Sequence, residues 1–311
     1  MSVKYVSGLC WAAGLICAPL AVLLCGCGEP ITPDDGTAEV LLPSNALQYI
    51  QTTAEAVTTA ETTTVTLNPA WQENVVENYN YSGGAVIKGV PHYTQFTSYQ
   101  TACESLAAVS LLQYYGVGMD IDRFIDSYLP MADYPVNGED GELHGASPWE
   151  YFIGDPRDPG GFGCYNTCIE TALNKLQKGL AVALRDVPLK KLCSDYIDKG
   201  QPAMFWGTIN MATPYVSEFY WIIPDGTTYY FVNPEHACLL IGYDDNYYYF
   251  SDSMSYTEIT PYAKWQVEAA YEGLFRQALV IDPLVLETLP DFWRTETAKS
   301  EIIGNPNGVM S

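Results

Sequence analysis

Apolar and polar positions alternate along this chain in patterns that predict helices and strands in a definite order. Residues 101–115 (TACESLAAVSLLQYY) are apolar on most sides, which predicts a central and buried helix. The patterns over 120–128 and 166–179 predict two further helices. Short runs rich in β-branched and aromatic residues predict strands at 85–93, 202–208, 228–232, 237–243, 247–252 and 277–282. A buried helix followed by several strands indicates an α+β domain.

Two stretches of the chain lack the apolar spacing of a packed domain. Residues 52–66 contain eight Thr in fifteen positions, and the segment 28–80 is therefore predicted to be a largely disordered tether. The folded domain is predicted over 81–283, with a peripheral tail at 284–311. Inside the domain, residues 129–163 are rich in Gly, Pro and Asp and predict a long surface loop of the kind that often binds ligands.

Residues 1–27 are predicted to be a targeting signal that is not part of the folded domain. Lys4 is the only charge before Glu29, and an apolar stretch follows it, as in a secretory signal. The string LCGC at 24–27 resembles the bacterial lipobox, in which a small residue precedes the cysteine that receives lipid. This resemblance implies that Cys27 carries lipid, and that the protein is exported and anchored to the outer face of the bacterial cell membrane. A single transmembrane anchor is the alternative.

Composition narrows the class of partner. The 311 residues include 14 Lys and Arg against 37 Asp and Glu, a formal net charge of −23. Nucleic acids are bound by clustered basic side chains, so this balance argues against a nucleic-acid partner. Hydrophobic residues make up 48% of the chain, which is enough to build a packed core.

Cys103 has the sequence position of a reactive thiol. Thr101 and Glu104 stand three apart just before the apolar run, which is the capping-box pattern with Thr101 as the N-cap residue. Cys103 then lies in the first turn of the helix, where the positive end of the helix dipole favours the thiolate. We therefore expect the pKa of Cys103 to be depressed. The alternative is a small buried residue of the core.

His236 and Asp252 could supply a base and the group that orients it. His236 opens the predicted strand HACLLIGY, and Asp252 ends the next strand, YYYFSD. With a three-residue turn, Tyr243 pairs with Tyr247, and His236 and Asp252 then share one face of the hairpin. A two-residue turn places them on opposite faces. In the first register, Asp252 can orient the imidazole towards Cys103, as in a Cys–His–Asp arrangement.

Gln95 lies eight residues before Cys103 and could donate its amide to an oxyanion. The backbone N–H of Cys103 would then be the second donor. Gln100 is a rival candidate, although it lies close to the start of the helix. Either side chain could equally be a solvated loop residue.

Five strings occur in order along the chain: VPHYTQ, TACES with LLQYYGV, FIGDPRDPGGFGCY, PEHACLLIGYDD and YYYFSDS. Over roughly 85–282 they resemble the C39-like cysteine peptidases of bacteria, which are papain-like domains related to the bacteriocin-leader peptidases. The resemblance implies a papain-like α+β fold with an N-terminal catalytic helix packed on a C-terminal antiparallel sheet. It also implies Cys103 as nucleophile, His236 as base, Asp252 as orienting carboxylate and Gln95 as oxyanion donor.

Two positions depart from the family pattern. Ala102 precedes the cysteine where the family commonly has Gly, and Ser253 follows the aspartate where the family commonly has Pro. Neither departure removes a reacting group.

The resemblance implies an exported, membrane-anchored cysteine peptidase that cleaves peptide bonds through a thioester on Cys103. A peptide or protein is the expected substrate, no cofactor is expected, and the loop over 154–163 is the expected substrate-facing wall. Two alternatives stay open. One is a peptide- or glycan-binding module without turnover on the same scaffold. The other is an acyl transferase or amidase that uses the same Cys–His pair, because an acyl-enzyme can pass its acyl group to water or to an amine.

Four more cysteines lie in the domain: Cys164, Cys168, Cys193 and Cys238. Export favours disulfides, and four cysteines allow three full pairings, although all four could equally be free in an anaerobic organism. Cys164 and Cys168 have an acceptable spacing for zinc. The other close pair, His236 with Cys238, is too tight for a usual zinc site, so no metal site is predicted.

Overall fold

The helices of this computed structural model follow from the apolar patterns of the sequence. The structure describes residues 75–77, 84–96 and 98–294. Within them the α-helices are α1 (Cys103–Tyr114), α2 (Ile121–Ser127), α3 (Asn166–Asn174), α4 (Leu189–Asp195), α5 (Lys264–Gly273) and α6 (Pro283–Glu287), with short 3-10 helices at Ile197–Lys199, Ile209–Met211 and Asp291–Trp293. Helix α1 is buried from Cys103 to Leu112, as its apolar surround predicts.

The strands form one large and two small sheets. In chain order they are β1 (Val75–Glu77), β2 (Ala85–Ile87), β3 (Met131–Ala132), β4 (Val136–Asn137), β5 (Leu143–His144), β6 (Phe152–Ile153), β7 (Ala181–Arg185), β8 (Ala203–Thr208), β9 (Tyr215–Ile222), β10 (Thr228–Asn233), β11 (Glu235–Tyr243), β12 (Tyr247–Ser251), β13 (Thr260–Ala263) and β14 (Gln277–Ile281). The large sheet is antiparallel, in the order β1-β2-β11-β8-β14-β7, and β12 joins β11 to β13.

Strand β11 is the centre of this sheet and the platform for α1. It pairs with β8, β12 and β2, and α1 packs directly on it. The strand is buried from His236 to Gly242, so its side chains are held on both faces. Packing a buried helix on a buried strand fixes the start of α1 relative to the start of β11, where the candidate site lies.

The predicted long loop at 129–163 contains regular structure. Strands β3 and β6 pair in parallel, and β4 and β5 join β9 and β10 in a separate four-stranded sheet. Strands β7, β9 and β13 and helices α4 and α5 were not predicted from the sequence pattern. The predicted strand at 85–93 ends at Ile87, and the predicted helix at 166–179 ends at Asn174.

The predicted segments at the two ends are only partly described. Strand β1 lies within the predicted tether at 28–80 and pairs with β2. The predicted tail from 284 begins inside α6, and the buried Trp293 accepts a 2.6 Å hydrogen bond through its carbonyl from the N–H of Gly118. The predicted signal at 1–27, with Cys27, lies outside the described residues. Among the helices that are described, none is long and apolar enough to cross a membrane.

The hairpin of β11 and β12 has a longer turn than predicted. The predicted pairing of Tyr243 with Tyr247 is wrong, because Tyr243 pairs with Tyr248. A bulge in β11 then removes the offset. From the turn inward, the pairs are Tyr243 with Tyr248, Gly242 with Tyr249, Leu240 with Phe250 and Leu239 with Ser251. Beyond the bulge the register is the predicted one, and it leaves His236 and Asp252 on one face.

Candidate active site

Helix α1 begins at Cys103, one residue later than the predicted capping box requires. Ala102 is the N-cap residue, and no side chain caps the helix. The hydroxyl of Thr101 instead donates a 2.8 Å hydrogen bond to the carbonyl of Asp158. The capping-box prediction is therefore wrong, because a loop distant in sequence takes up the hydroxyl that would have capped the helix.

The thiol of Cys103 is buried among acidic groups. Its Sγ donates to Oε2 of Glu104 at 3.2 Å, and only 5% of the residue is exposed. Burial raises the pKa of the Cys103 thiol well above its usual value, and the charges of Glu104 and Glu235 raise it further. The N–H of Ala237 hydrogen-bonds to the sulfur and lowers the pKa, but by less. The expected depressed pKa is therefore wrong for this arrangement.

His236 and Asp252 form a buried pair. Nε2 of His236 lies 2.7 Å from Oδ1 of Asp252, and their side chains are 1% and 0% exposed. The same Oδ1 accepts a 2.8 Å hydrogen bond from the N–H of Met254, while the Tyr262 hydroxyl donates to Oδ2 at 2.7 Å. Burial by itself raises the pKa of Asp252, but the charge of His236 and these hydrogen bonds outweigh it and lower the pKa to about 2.

The contact with Asp252 determines which ring nitrogen of His236 can exchange a proton with another group. Since Nε2 faces the carboxylate, Nδ1 is the nitrogen that can exchange a proton with another group. Cys103 lies close by, because its sulfur contacts the N–H of Ala237, the residue after His236. Over the residues described here, no hydrogen bond joins Cys103 to His236, and the thiol points to Glu104 instead.

Both the oxygen and the nitrogen of the Gln95 side-chain amide form hydrogen bonds. Its Oε1 accepts a 2.6 Å hydrogen bond from the Ser253 hydroxyl, and its Nε2 donates to the carbonyl of Gln100 at 3.1 Å. Its backbone N–H also donates to the carbonyl of Ser253. Gln95 is thus a buried residue that ties the segment before α1 to the segment after Asp252, and the solvated-loop alternative does not describe it.

The sequence of this chain is similar to that of a known protein family over the whole region that forms the site. A model described as the Peptidase_C39 like family matches residues 87–279, which is more than half of the chain. The chain belongs to the Peptidase_C39 like family. The matched region contains Gln95, Cys103, His236 and Asp252.

Two relatives illustrate the membership. Uncharacterized protein YvpB of Bacillus subtilis (strain 168) is 30% identical over 188 residues, which cover 58% of this chain and 68% of YvpB. The crystal structure of a putative C39-like peptidase from Bacillus anthracis superposes with a TM-score of 0.56 at 22% identity, over 63% of this chain and 96% of that one. The structural likeness supports the predicted α+β papain-like fold. Family and fold together support a peptidase-type enzyme.

The loop that leads to α3 lies against the start of α1 in this Peptidase_C39 like domain. The N–H of Thr101 donates to the carbonyl of Pro156, and the N–H of Cys164 donates to Oε1 of Glu104 at 2.6 Å. The indole N–H of Trp206 donates to the carbonyl of Cys164 at 2.9 Å. Residues 154–164 are therefore held beside the candidate nucleophile, which is where a substrate-facing wall would have to lie.

Sequence reasoning missed three side chains of the site. Glu104 was interpreted as a capping residue, and Glu235 and Tyr262 were not singled out. Glu235 could have been noticed as the acidic neighbour of His236. Tyr262 gives no local signal, because it reaches Asp252 only through the pairing of β13 with β12.

The four remaining cysteines of the domain are free thiols. Cys164, Cys168, Cys193 and Cys238 are all buried and unpaired with one another as disulfides. Of the two outcomes that the sequence left open, the structure has the free one. Each thiol occupies the core, and burial raises the pKa of Cys193 to about 12, so that it packs as an apolar side chain.

Proposed function

We propose that this protein is a cysteine peptidase that hydrolyses peptide bonds through a thioester on Cys103. The observation that supports this best is the buried His236–Asp252 pair, placed one residue from the backbone N–H that contacts the thiol. A buried carboxylate that engages one ring nitrogen fixes the tautomer and orientation of the imidazole. The other nitrogen then serves as the base and acid of an acyl transfer.

The reaction begins when the Cys103 thiol turns from Glu104 towards His236. His236 takes the thiol proton at Nδ1 while the sulfur attacks the substrate carbonyl carbon and forms a C–S bond. The C–N bond then breaks, and His236 returns the proton to the leaving amine. In the second half, His236 takes a proton from water, and the resulting hydroxide attacks the thioester. The C–S bond then breaks, the acid product leaves, and the proton returns to the Cys103 sulfur.

The oxyanion of each tetrahedral intermediate needs donors near Cys103. The N–H of Cys103 belongs to the first turn of α1, whose N–H groups have no acceptor within the helix. The Gln95 amide is the second proposed donor, and it must exchange its hydrogen bond to Gln100 for one to the oxyanion. Losing one such donor typically costs ~10²–10³ in kcat.

The substrate is a peptide or protein, held along the segment 154–163 beside α1. We also propose that the chain is exported and attached to the outer face of the bacterial cell membrane by lipid on Cys27. The support for the anchor is the string LCGC after an apolar stretch. Attachment places the domain on the outer side, where peptides and proteins at the cell surface are its substrates.

A thiol-directed acyl probe tests the proposed chemistry. Cys103 should be labelled, and the protein should cleave members of a mixed peptide library as followed by mass spectrometry. Cys103→Ala and His236→Ala should abolish both signals, whereas Cys193→Ala, which removes a buried thiol elsewhere, should keep them. Labelling that survives in Cys103→Ala, or cleavage that survives in both site variants, would contradict the proposal. Binding of peptides without any cleavage would favour the non-catalytic module.

A further inference from the structure

Two carboxyl groups that the proposed reaction does not use lie next to the nucleophile. Glu104 stands beside Cys103 on α1, and Glu235 is the first residue of β11. The Cys103 sulfur, one oxygen of Glu104 and one oxygen of Glu235 all lie within 4.8 Å of one another. The sequence places Glu104 and Glu235 far apart, so only the packing of α1 on β11 creates this cluster.

The carboxyl groups of this cluster form no ion pair among the described residues, although the charge of His236 lies close enough to offset part of the rise that burial causes in the pKa of Glu104. Among the described ion pairs, none involves Glu104 or Glu235. The buried Glu104 and the half-buried Glu235 thus lie together with no ion pair to offset their charge, which is costly whenever both are ionised.

One oxygen of the cluster lacks a hydrogen-bond donor. The Glu104 carboxylate accepts from the N–H of Cys164, from its own backbone N–H and from the weak S–H donor of Cys103. Oε1 of Glu235 is buried and has no hydrogen-bond partner. A buried carboxylate oxygen without a donor can bind a cation without giving up another hydrogen bond.

The backbone of Gly163 closes the cluster on one side. A Cβ atom at this position would lie 2.5 Å from Oε1 of Glu104 and 2.8 Å from Oε2 of Glu235. Gly163 has a φ of +77°, so its conformation and its lack of a side chain both suit this close approach. The backbone of Gly163 therefore lies against both carboxyl groups and leaves no room for a side chain at this position.

We propose that Cys103, Glu104 and Glu235 form a binding site for Zn²⁺. A thiolate sulfur and two carboxylate oxygens are accepted zinc ligands, at about 2.3 Å and about 2.0–2.2 Å from the ion. Two such ligands of one tetrahedral ion lie roughly 3.5 Å apart, and the Cys103–Glu104 separation of 3.2 Å is already close to this value. The soft sulfur selects zinc over magnesium and calcium, which prefer oxygen ligands alone.

Zinc binding releases the thiol proton, and any proton held by the two carboxyl groups, to solvent, and places the sulfur in a metal–ligand bond. The three protein ligands leave the fourth tetrahedral position to water. If the proposed function holds, the bound ion blocks the nucleophile, and zinc is a reversible inhibitor. The binding step itself does not depend on peptidase activity.

Metal binding is therefore tested separately from inhibition. The metal-free protein is titrated with Zn²⁺ by calorimetry, and with Cd²⁺ while the thiolate-to-metal absorption band is followed. We expect one ion per chain, loss of the absorption band in Cys103→Ser, and at least tenfold weaker zinc binding in Glu235→Gln and Glu235→Ala. Glu139→Gln, at an exposed position, is the matched control and should bind zinc as the unaltered protein does. Thermal melting of each variant in the absence of metal checks that it is folded.

The results separate the two proposals. Zinc affinity that is unchanged in both Glu235 variants, or an absorption band that survives in Cys103→Ser, places the ion elsewhere and overturns the site. No zinc binding by the folded protein also overturns it and leaves a shared proton as the neutralising group. If cleavage is detected, its zinc inhibition constant should rise at least tenfold in Glu235→Gln. If binding is found without cleavage, the metal site stands and the peptidase proposal fails.

Discussion

The buried carboxylate of Asp252 makes the stability of the domain depend on acid in a calculable way. Its pKa falls from the ordinary 3.8 to about 2 in the folded protein. A depressed carboxyl pKa contributes stability at pH values above the unfolded pKa, and this contribution is lost as the pH falls through the folded pKa. The difference between the two pKa values corresponds to about 2 kcal/mol, of which about half should be lost at a pH of about 3.

Asp252→Asn isolates this contribution, because the amide does not titrate. Urea unfolding followed by tryptophan fluorescence gives the free energy of unfolding at pH of about 5 and about 3. Both proteins lose stability in acid through their other carboxyl groups, so the informative quantity is the difference between them. The difference in free energy of unfolding between the unaltered protein and Asp252→Asn should be about 1 kcal/mol smaller at a pH of about 3 than at a pH of about 5.

Asp133→Asn is the matched control, since Asp133 is exposed and no hydrogen bond or ion pair of its carboxylate is described. Its difference from the unaltered protein should stay constant to within a few tenths of a kcal/mol. If the Asp252→Asn difference also stays constant, the folded pKa of Asp252 is not depressed. The account of His236, Tyr262 and Met254 as the groups that stabilise the carboxylate would then be refuted.

Two further tests address single contacts in the structure, and a third addresses the proposed lipid anchor. Tyr262→Phe removes the hydroxyl that donates to Asp252, and should lower kcat severalfold while the protein stays folded, because losing one such hydrogen bond costs about 1–2 kcal/mol; an unchanged kcat would exclude a positioning role. Gly163→Ala should lower the free energy of unfolding by about 1–3 kcal/mol more than Gly141→Ala. Both glycines have a positive φ, but only a Cβ atom at position 163 would have other atoms within 4 Å. Equal losses in urea unfolding would show that the loop moves aside freely. Cys27→Ser should release the protein from membranes or leave it unprocessed, as judged by fractionation and mass, and retained acylation at the same position would contradict the anchor.

The local sequence determined the elements that carry the site. Helix α1 could be predicted because its residues are apolar on most sides, and such a helix has to be buried whatever the fold around it. The strands around His236 and Asp252 could be predicted because β-branched and aromatic residues dominate them. His236 and Asp252 both have even residue numbers. Because side chains alternate between the two faces of a strand, this equal parity allowed the two residues to share a face.

What the sequence could not determine is every property that depends on a partner distant along the chain. His236 and Asp252 share a face although the turn is longer than predicted, because a bulge in β11 restores the predicted register. No local sequence pattern indicates that bulge. Tyr262 reaches Asp252 through β13, a strand whose pairing partner is decided by the whole sheet.

The chemistry of Cys103 shows the same division. Its place at the start of a helix is a local property, and the sequence determined it correctly to within one residue. The pKa of its thiol depends on burial and on the carboxyl groups of Glu104 and Glu235. Glu235 lies 132 residues further along the chain than Cys103. Glu104 turns away from its predicted cap because the N–H of Cys164 offers a buried donor. Electrostatic energies depend on distance in space and on desolvation, and only the tertiary structure fixes these two quantities.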